Sequence, residues 1–328
     1  MVKKERLSYI DVAKGILISL VVVWHTTWLA ETNGIDNIVF NFVEKIGFIY
    51  SPFFMAAFFF ITGYCTNFEK KYSQFLLTDL RTLLWPSITL VFIGGGLMYL
   101  YDGTPLGNAI RPYHLIRFIS CHWFLPAMFW AKQIHYFLKR FKYNYLIYIP
   151  LSFLGVYLSD KVLDYWWMEH SFMFVIFIYL GHIMRGGKFQ LVQNPKVFIP
   201  LYVIYIVITR LLTPQMPAIT SGVGLEIWQL PQFIISATLG SLVIIHLSKK
   251  IAHAPFLEYL GKNSLVVYCL HFTLMSLFYK TFQDSLNTTN LQASLLALFA
   301  MYVFVIEGCT ILSFVLTQRY TKWIIGKK

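Results

Sequence analysis

From Ser8 to Leu316 the sequence is a succession of apolar runs separated by short polar segments. A run of about 17 to 25 apolar residues is the length of helix that crosses a bilayer. Hydrophobic residues make up 57% of the chain and charged residues only 13%, against about 25% charged in a soluble domain. The expected fold is all-α: a polytopic integral membrane helical bundle, with residues 1–328 as one transmembrane domain. No internal repeat or low-complexity segment interrupts it.

The runs place spans at Ser8 to Leu29, about Ile38 to Tyr64, about Leu83 to Tyr101, about Phe118 to Phe137 and about Tyr145 to Leu158. Five more follow at Ser171 to Met184, about Val197 to Leu212, about Leu230 to Leu247, Ser264 to Phe282 and about Leu291 to Leu316. That makes about ten transmembrane helices. Polar loops are expected at Asp102 to Arg117 and Thr213 to Gly224.

The formal charge of +12 resembles a nucleic-acid signal, but its distribution excludes one. Basic residues cluster between alternate runs: Lys3/Lys4/Arg6, Lys70/Lys71/Arg81, Lys139/Arg140/Lys142, Arg185/Lys188/Lys196, Lys249/Lys250/Lys262 and Arg319 onward. The other connections hold few: Arg111, Arg117, Lys161, Arg210 and Lys280. By the positive-inside rule both termini lie in the cytoplasm. The N-terminal run is interrupted by Asp11 and Lys14 and ends in bulky Trp28-Leu29, so it reads as a retained first helix rather than a signal peptide. Cys65, Cys121, Cys269 and Cys309 lack metal or redox spacing and read as unpaired core residues.

Within the first span, ionisable residues are costly and so mark a functional site. At 100° per residue, Lys14 and His25 fall about 20° apart around the axis and roughly 16 Å apart along it; Asp11 lies about 40° from His25. The blander readings are a packing histidine and a lysine that reaches the inner interface, paired with Asp11. The sharper ones make His25 a general base or nucleophile and Lys14 a cation for phosphate. Arg81, expected just before a helix that starts near Pro86, is either a topology determinant or a phosphate clamp. His122 and Trp123 stand where the outer loop re-enters the membrane and also fit an interfacial belt. Asn263 and Ser264 are placed to cap a helix after Gly261. On that helix Ser264, Tyr268 and His271 share one face, and such groups inside a membrane need partners.

These stretches, in this order, resemble the membrane-bound acyltransferase-3 family, which includes fucose-4-O-acetylase-like and polysaccharide O-acetyltransferase members. The opening pattern falls on Arg6, Asp11, Lys14, Gly15 and His25. FFMAAFFFITGY, beginning at Phe53, looks like the family's FHMPLFFFISGY. RTLLWP at Arg81, HWFLPAMF at His122 and LGKNSLVVYCLH at Leu260 look like three further family blocks. The chain departs at Phe54, where the family often has His, at Ala56, where it often has Pro, and at Thr78, which leaves Arg81 without the first arginine of an R-x-x-R pair.

The resemblance implies transfer of an acyl group, usually acetyl from cytoplasmic acetyl-CoA, to a hydroxyl of a cell-envelope glycan or glycolipid, with acetyl-CoA as co-substrate and no permanently bound cofactor or metal. It implies His25 as base or acyl carrier, with Asp11 orienting Lys14 or tuning that end of the stripe. Lys14 and Arg81 would bind coenzyme A phosphates. His122, Trp123, Asn263, Ser264, Tyr268 and His271 would shape the acceptor pocket or support the bundle. The expected location is a bacterial cytoplasmic membrane, with lipid, acyl-CoA and the glycan as partners, no nucleic acid, and homo-oligomers allowed. The alternative is a transporter or flippase for a glycan-lipid, which polar intramembrane residues and the Gly/Pro-broken segments would also suit.

Overall fold

The computed structural model describes residues 7–103, 123–143, 145–159, 168–185, 194–212, 225–251, 253–318 and 320–326. Arg6, Arg111, Arg117, Cys121, His122, Lys161 and nearly all of the two expected polar loops lie outside the described residues. Among those described, every regular element is helical. In chain order they are α1 (Ser8–Thr32), α2 (Ile38–Ile46), α3 (Ser51–Cys65), α4 (Tyr72–Asp79), α5 (Trp85–Asp102), α6 (Phe124–Leu138) and α7 (Tyr145–Ser159). Then come α8 (Met168–Arg185), α9 (Pro195–Leu212), α10 (Leu230–Ile251), α11 (Pro255–Lys262), α12 (Ser264–Leu286) and α13 (Leu291–Leu316).

Five helical stretches are long and apolar enough to cross a membrane: Ser8–Thr32, Tyr72–Tyr101, Ile227–Ile251, Ser264–Leu286 and Leu291–Leu316. A sixth results if α2 and α3, bent 60° from each other, form one broken span. The four other expected spans are present as helices α6 to α9, which fall short of that combined length and apolarity.

Two expected spans differ in form. The second is broken by a short 3-10 turn at Gly47–Ile49; α3 then restarts with Pro52 in its first turn, where a missing N–H costs nothing. The third begins earlier than Leu83, because α4 runs into α5 through a π-helical turn, Leu80–Leu84. Pro86 supplies no N–H to the preceding turn, and a widened turn accommodates that loss. Arg81 therefore sits inside a continuous helical stretch and not ahead of one.

Glycines set the closest crossings. A Cβ on Gly63 would strike the Ile178 carbonyl, and one on Gly181 the Phe60 carbonyl, so α3 and α8 meet backbone to backbone. The same holds for Gly15 against Leu257 and Gly261 against Asp11, which press α11 onto the first half of α1. Small residues permit such approach in membrane bundles. Gly261 falls in the last turn of α11, within a residue of the expected end of that segment, and is a contact glycine there. Cys65 is exposed, whereas Cys269 and Cys309 are buried as expected.

At one end of the bundle Tyr9 donates to the Tyr64 hydroxyl (3.4 Å), Lys249 lies 5.3 Å over the Tyr9 ring, and Arg185 donates to the Thr66 carbonyl (3.0 Å). At the other, Asn37 caps α2 and its amide donates to the Leu286 carbonyl (3.0 Å). The α1–α2 and α12–α13 connections are thereby fastened together.

Candidate active site

α12 runs parallel to the second half of α1, and the pairing brings two histidines together. His271 Nε2 lies 3.0 Å from His25 Nδ1, with ring centroids 5.0 Å apart. The α12 register is fixed nearby by Tyr279, whose hydroxyl donates to the Thr26 carbonyl at 2.7 Å.

Hydrogen bonding assigns the tautomers. His271 Nδ1 faces its own helix, 2.7 Å from the Tyr268 carbonyl and 3.0 Å from that of Val267. A carbonyl only accepts, so Nδ1 carries the proton and a neutral His271 presents a bare Nε2. That nitrogen accepts from His25 Nδ1–H, and the His25 ring also hydrogen-bonds to the Val21 backbone of its own helix. His25 is left with an unprotonated Nε2, the state a general base requires. His271 is buried, His25 only partly so. Phe272 packs 4.6 Å from the His25 ring and Trp28 lies 5.9 Å from Phe272, giving His25 an apolar collar.

The site extends toward α6 and α8. The backbone N–H of Phe124 donates to the Tyr268 hydroxyl (3.4 Å) and the two rings are 5.1 Å apart. Trp123, the preceding residue, packs on His170 (5.0 Å) and Phe174 (5.5 Å). His170 Nδ1 is 2.9 Å from Glu169 Oε1, and both residues are buried. Neither was anticipated from the sequence, although an acid and an imidazole opening an apolar run are a visible signal.

The other anticipated residues separate. Asp11 is buried, but in a continuous α1 it stands about 21 Å below His25 along the axis, so the two share no centre. Lys14 is half-buried and makes no hydrogen bond or ion pair among the described residues, so Asp11 does not hold it. Asn263 occupies the N-cap position of α12 without capping it: its amide donates back to the Tyr259 carbonyl (2.9 Å) and closes α11 instead. Ser264 is half-buried at the start of α12, about 10 Å along the axis from His271. His122 lies outside the described residues.

Arg81 lines a cavity of about 940 Å³ with Gln74, Thr78, Thr82, Trp85 and Trp323; Lys14 does not reach it. Just before Arg81, buried Asp79 accepts from Lys132 and from Gln133 (2.9 Å). One turn along α6, His135 bridges the Tyr148 hydroxyl (2.7 Å) and His182 (2.8 Å). Outside the helices, Lys139 donates to Glu69 (2.6 Å) and holds that carboxyl below its ordinary range. Lys132 and His135 lie within an apolar run and were legible as isolated polar residues, but the sequence does not show that Asp79 and His182 meet them.

A family model described as an acyltransferase domain matches residues 7–316. No curated protein and no solved structure matches the chain.

Proposed function

This chain belongs to the membrane acyltransferase-3 family, and we propose that it is an O-acyltransferase moving an acyl group, acetyl first, from acyl-CoA to a hydroxyl of a cell-envelope glycan or glycolipid. The observation that carries the reading is the His271–His25 hydrogen bond, which leaves His25 Nε2 unprotonated. In the proposed reaction His25 Nε2 takes the proton of the acceptor hydroxyl as its oxygen attacks the thioester carbonyl. The C–S bond breaks, the acyl group stays on the acceptor oxygen, and His25 returns the proton to the departing coenzyme A sulfur. His271 accepts the Nδ1–H throughout, steadying the ring as it becomes charged; a group that orients the base in this way is a recurrent device.

Trp123 and Tyr268, with Glu169 and His170 behind, form the acceptor side in this reading. Arg81 binds donor phosphate, and Lys14 adds positive charge at the same end of the bundle. Asp11 takes no part in proton transfer. The four shorter helices complete ten crossings with both termini cytoplasmic, in keeping with the basic clusters, and the protein resides in a bacterial cytoplasmic membrane.

The test compares envelope glycans by mass spectrometry in cells with the protein, without it, and with His25→Ala. The expected result is loss of the same acyl mass in the last two, while the purified variant melts as the wild type does. An acyl mass that survives His25→Ala sinks the reading.

A further inference from the structure

The cavity beside Arg81 is walled on one side by the C-terminal segment. Three contacts hold it there. Trp85 Nε1 donates to the Trp323 carbonyl (3.0 Å), and the Thr89 hydroxyl donates to the Ile324 carbonyl (2.6 Å). Gly326, at φ 68°, approaches the Arg81 carbonyl so closely that a Cβ has no room. Ile325 is buried and anchors the segment to the core. The result is a space of about 940 Å³ with a guanidinium, two indoles whose ring centroids are 6.1 Å apart, and the polar side chains of Gln74, Thr78 and Thr82. Both indoles keep substantial exposed surface, 43% for Trp85 and 54% for Trp323.

We propose that this cavity seats the nucleotide end of acyl-CoA, with the adenine against the Trp85 and Trp323 rings and a phosphate on Arg81. The inference rests on the donor reading given above. Guanidinium and phosphate match in charge and geometry, and an aromatic face accepts a base by stacking.

The position also fits a long, thin donor. Gly94 lies about 20 Å further along the same helical stretch than Arg81, and it packs against Leu270 and Thr273, the residues flanking His271 and Phe272. α12 therefore touches α5 at the level of the histidine pair. A donor whose nucleotide rests at Arg81 needs an extended arm of that length to bring its thioester to His25. The C-terminal segment is, on this view, a structural part of the donor site.

The test uses equilibrium binding of acetyl-CoA to the purified full chain, with adenosine 3′,5′-bisphosphate as competitor. The bisphosphate is expected to compete with acetyl-CoA. Trp323→Ala is expected to weaken acetyl-CoA about tenfold, the scale of losing one base–aromatic stack, while Trp323→Phe stays near wild type. Because Trp323→Ala perturbs the tail, Thr78→Trp serves as the second variant: it fills the cavity from the exposed face of α4 and is expected to block the bisphosphate. Acetyl-CoA binding that neither the bisphosphate nor Thr78→Trp disturbs overturns the nucleotide seat and leaves the donor reading standing. No binding of any acyl-CoA by the wild type overturns both.

Discussion

His271 Nε2 stands 3.0 Å from His25 Nδ1, although 246 positions separate the two residues in the chain. The contact makes His271 a positioning residue for the proposed base. His271→Ala is expected to lower kcat at least tenfold while leaving the KM for acyl-CoA unchanged, and His25→Ala to remove about 10²-fold or more. His271→Gln recovers part of the loss, because its amide oxygen can accept from Nδ1–H. Steady-state kinetics on detergent-purified protein decides it; a His271→Ala enzyme with wild-type kcat excludes the positioning role.

The Lys132–Asp79 pair is buried on both sides. Removing one partner strands a charge, so Lys132→Met and Asp79→Leu are each expected to destabilise by about 3–5 kcal/mol, and the double substitution by much less than the sum. Thermal denaturation in detergent measures this. Additive losses argue against a direct pair.

Glycine substitutions are expected to differ in sign with position. Gly181→Ala drives a Cβ into the Phe60 carbonyl and is expected to cost about 1–3 kcal/mol. A Cβ on Gly96 meets nothing within 4 Å, so Gly96→Ala is expected to be neutral or stabilising by up to about 1 kcal/mol. Melting temperatures of the two variants check the contrast; equal losses contradict the close α3–α8 crossing.

Lys139 depresses the Glu69 pKa in the folded state. The pair's contribution is therefore present above the unfolded carboxyl value of about 4.3 and disappears as pH falls through the lower folded value. Glu69 is largely exposed, so the effect is small. Glu69→Gln is expected to flatten the acid limb of the melting temperature against pH and to leave the neutral plateau nearly unchanged. An acid limb identical in both proteins removes the linkage.

Much of this arrangement was legible in the sequence. Apolar run length located the helices, and the cost of ionisable groups in lipid drew attention to His25. His271 was visible too, as one of three polar groups on a helix face, but its partner was not: periodicity relates residues on one helix and carries no information on which other helix lies beside it. Asp11 was legible as sharing a stripe with His25 about 21 Å away along the axis; what the sequence does not show is that Lys14 makes no hydrogen bond or ion pair with it. Lys132 and His135 stand out as polar residues in an apolar run, but their partners come from α4, α7 and α8, which one helix's periodicity does not reveal. The break between α2 and α3 and the π turn at Leu80–Leu84 depend on how Pro52 and Pro86 settle against neighbours, which composition does not fix.

The histidine pair joins the first helix of the chain to the last but one. A ribosome delivers α1 to the membrane first, and domains take shape in the order of synthesis. His25 then waits through nearly the whole of translation before its partner exists. Until α12 enters the bilayer, the ring has only the Val21 backbone of its own helix and lacks the His271 nitrogen that completes its orientation. On the proposed reading, the site is complete only when synthesis of the helical bundle is almost finished.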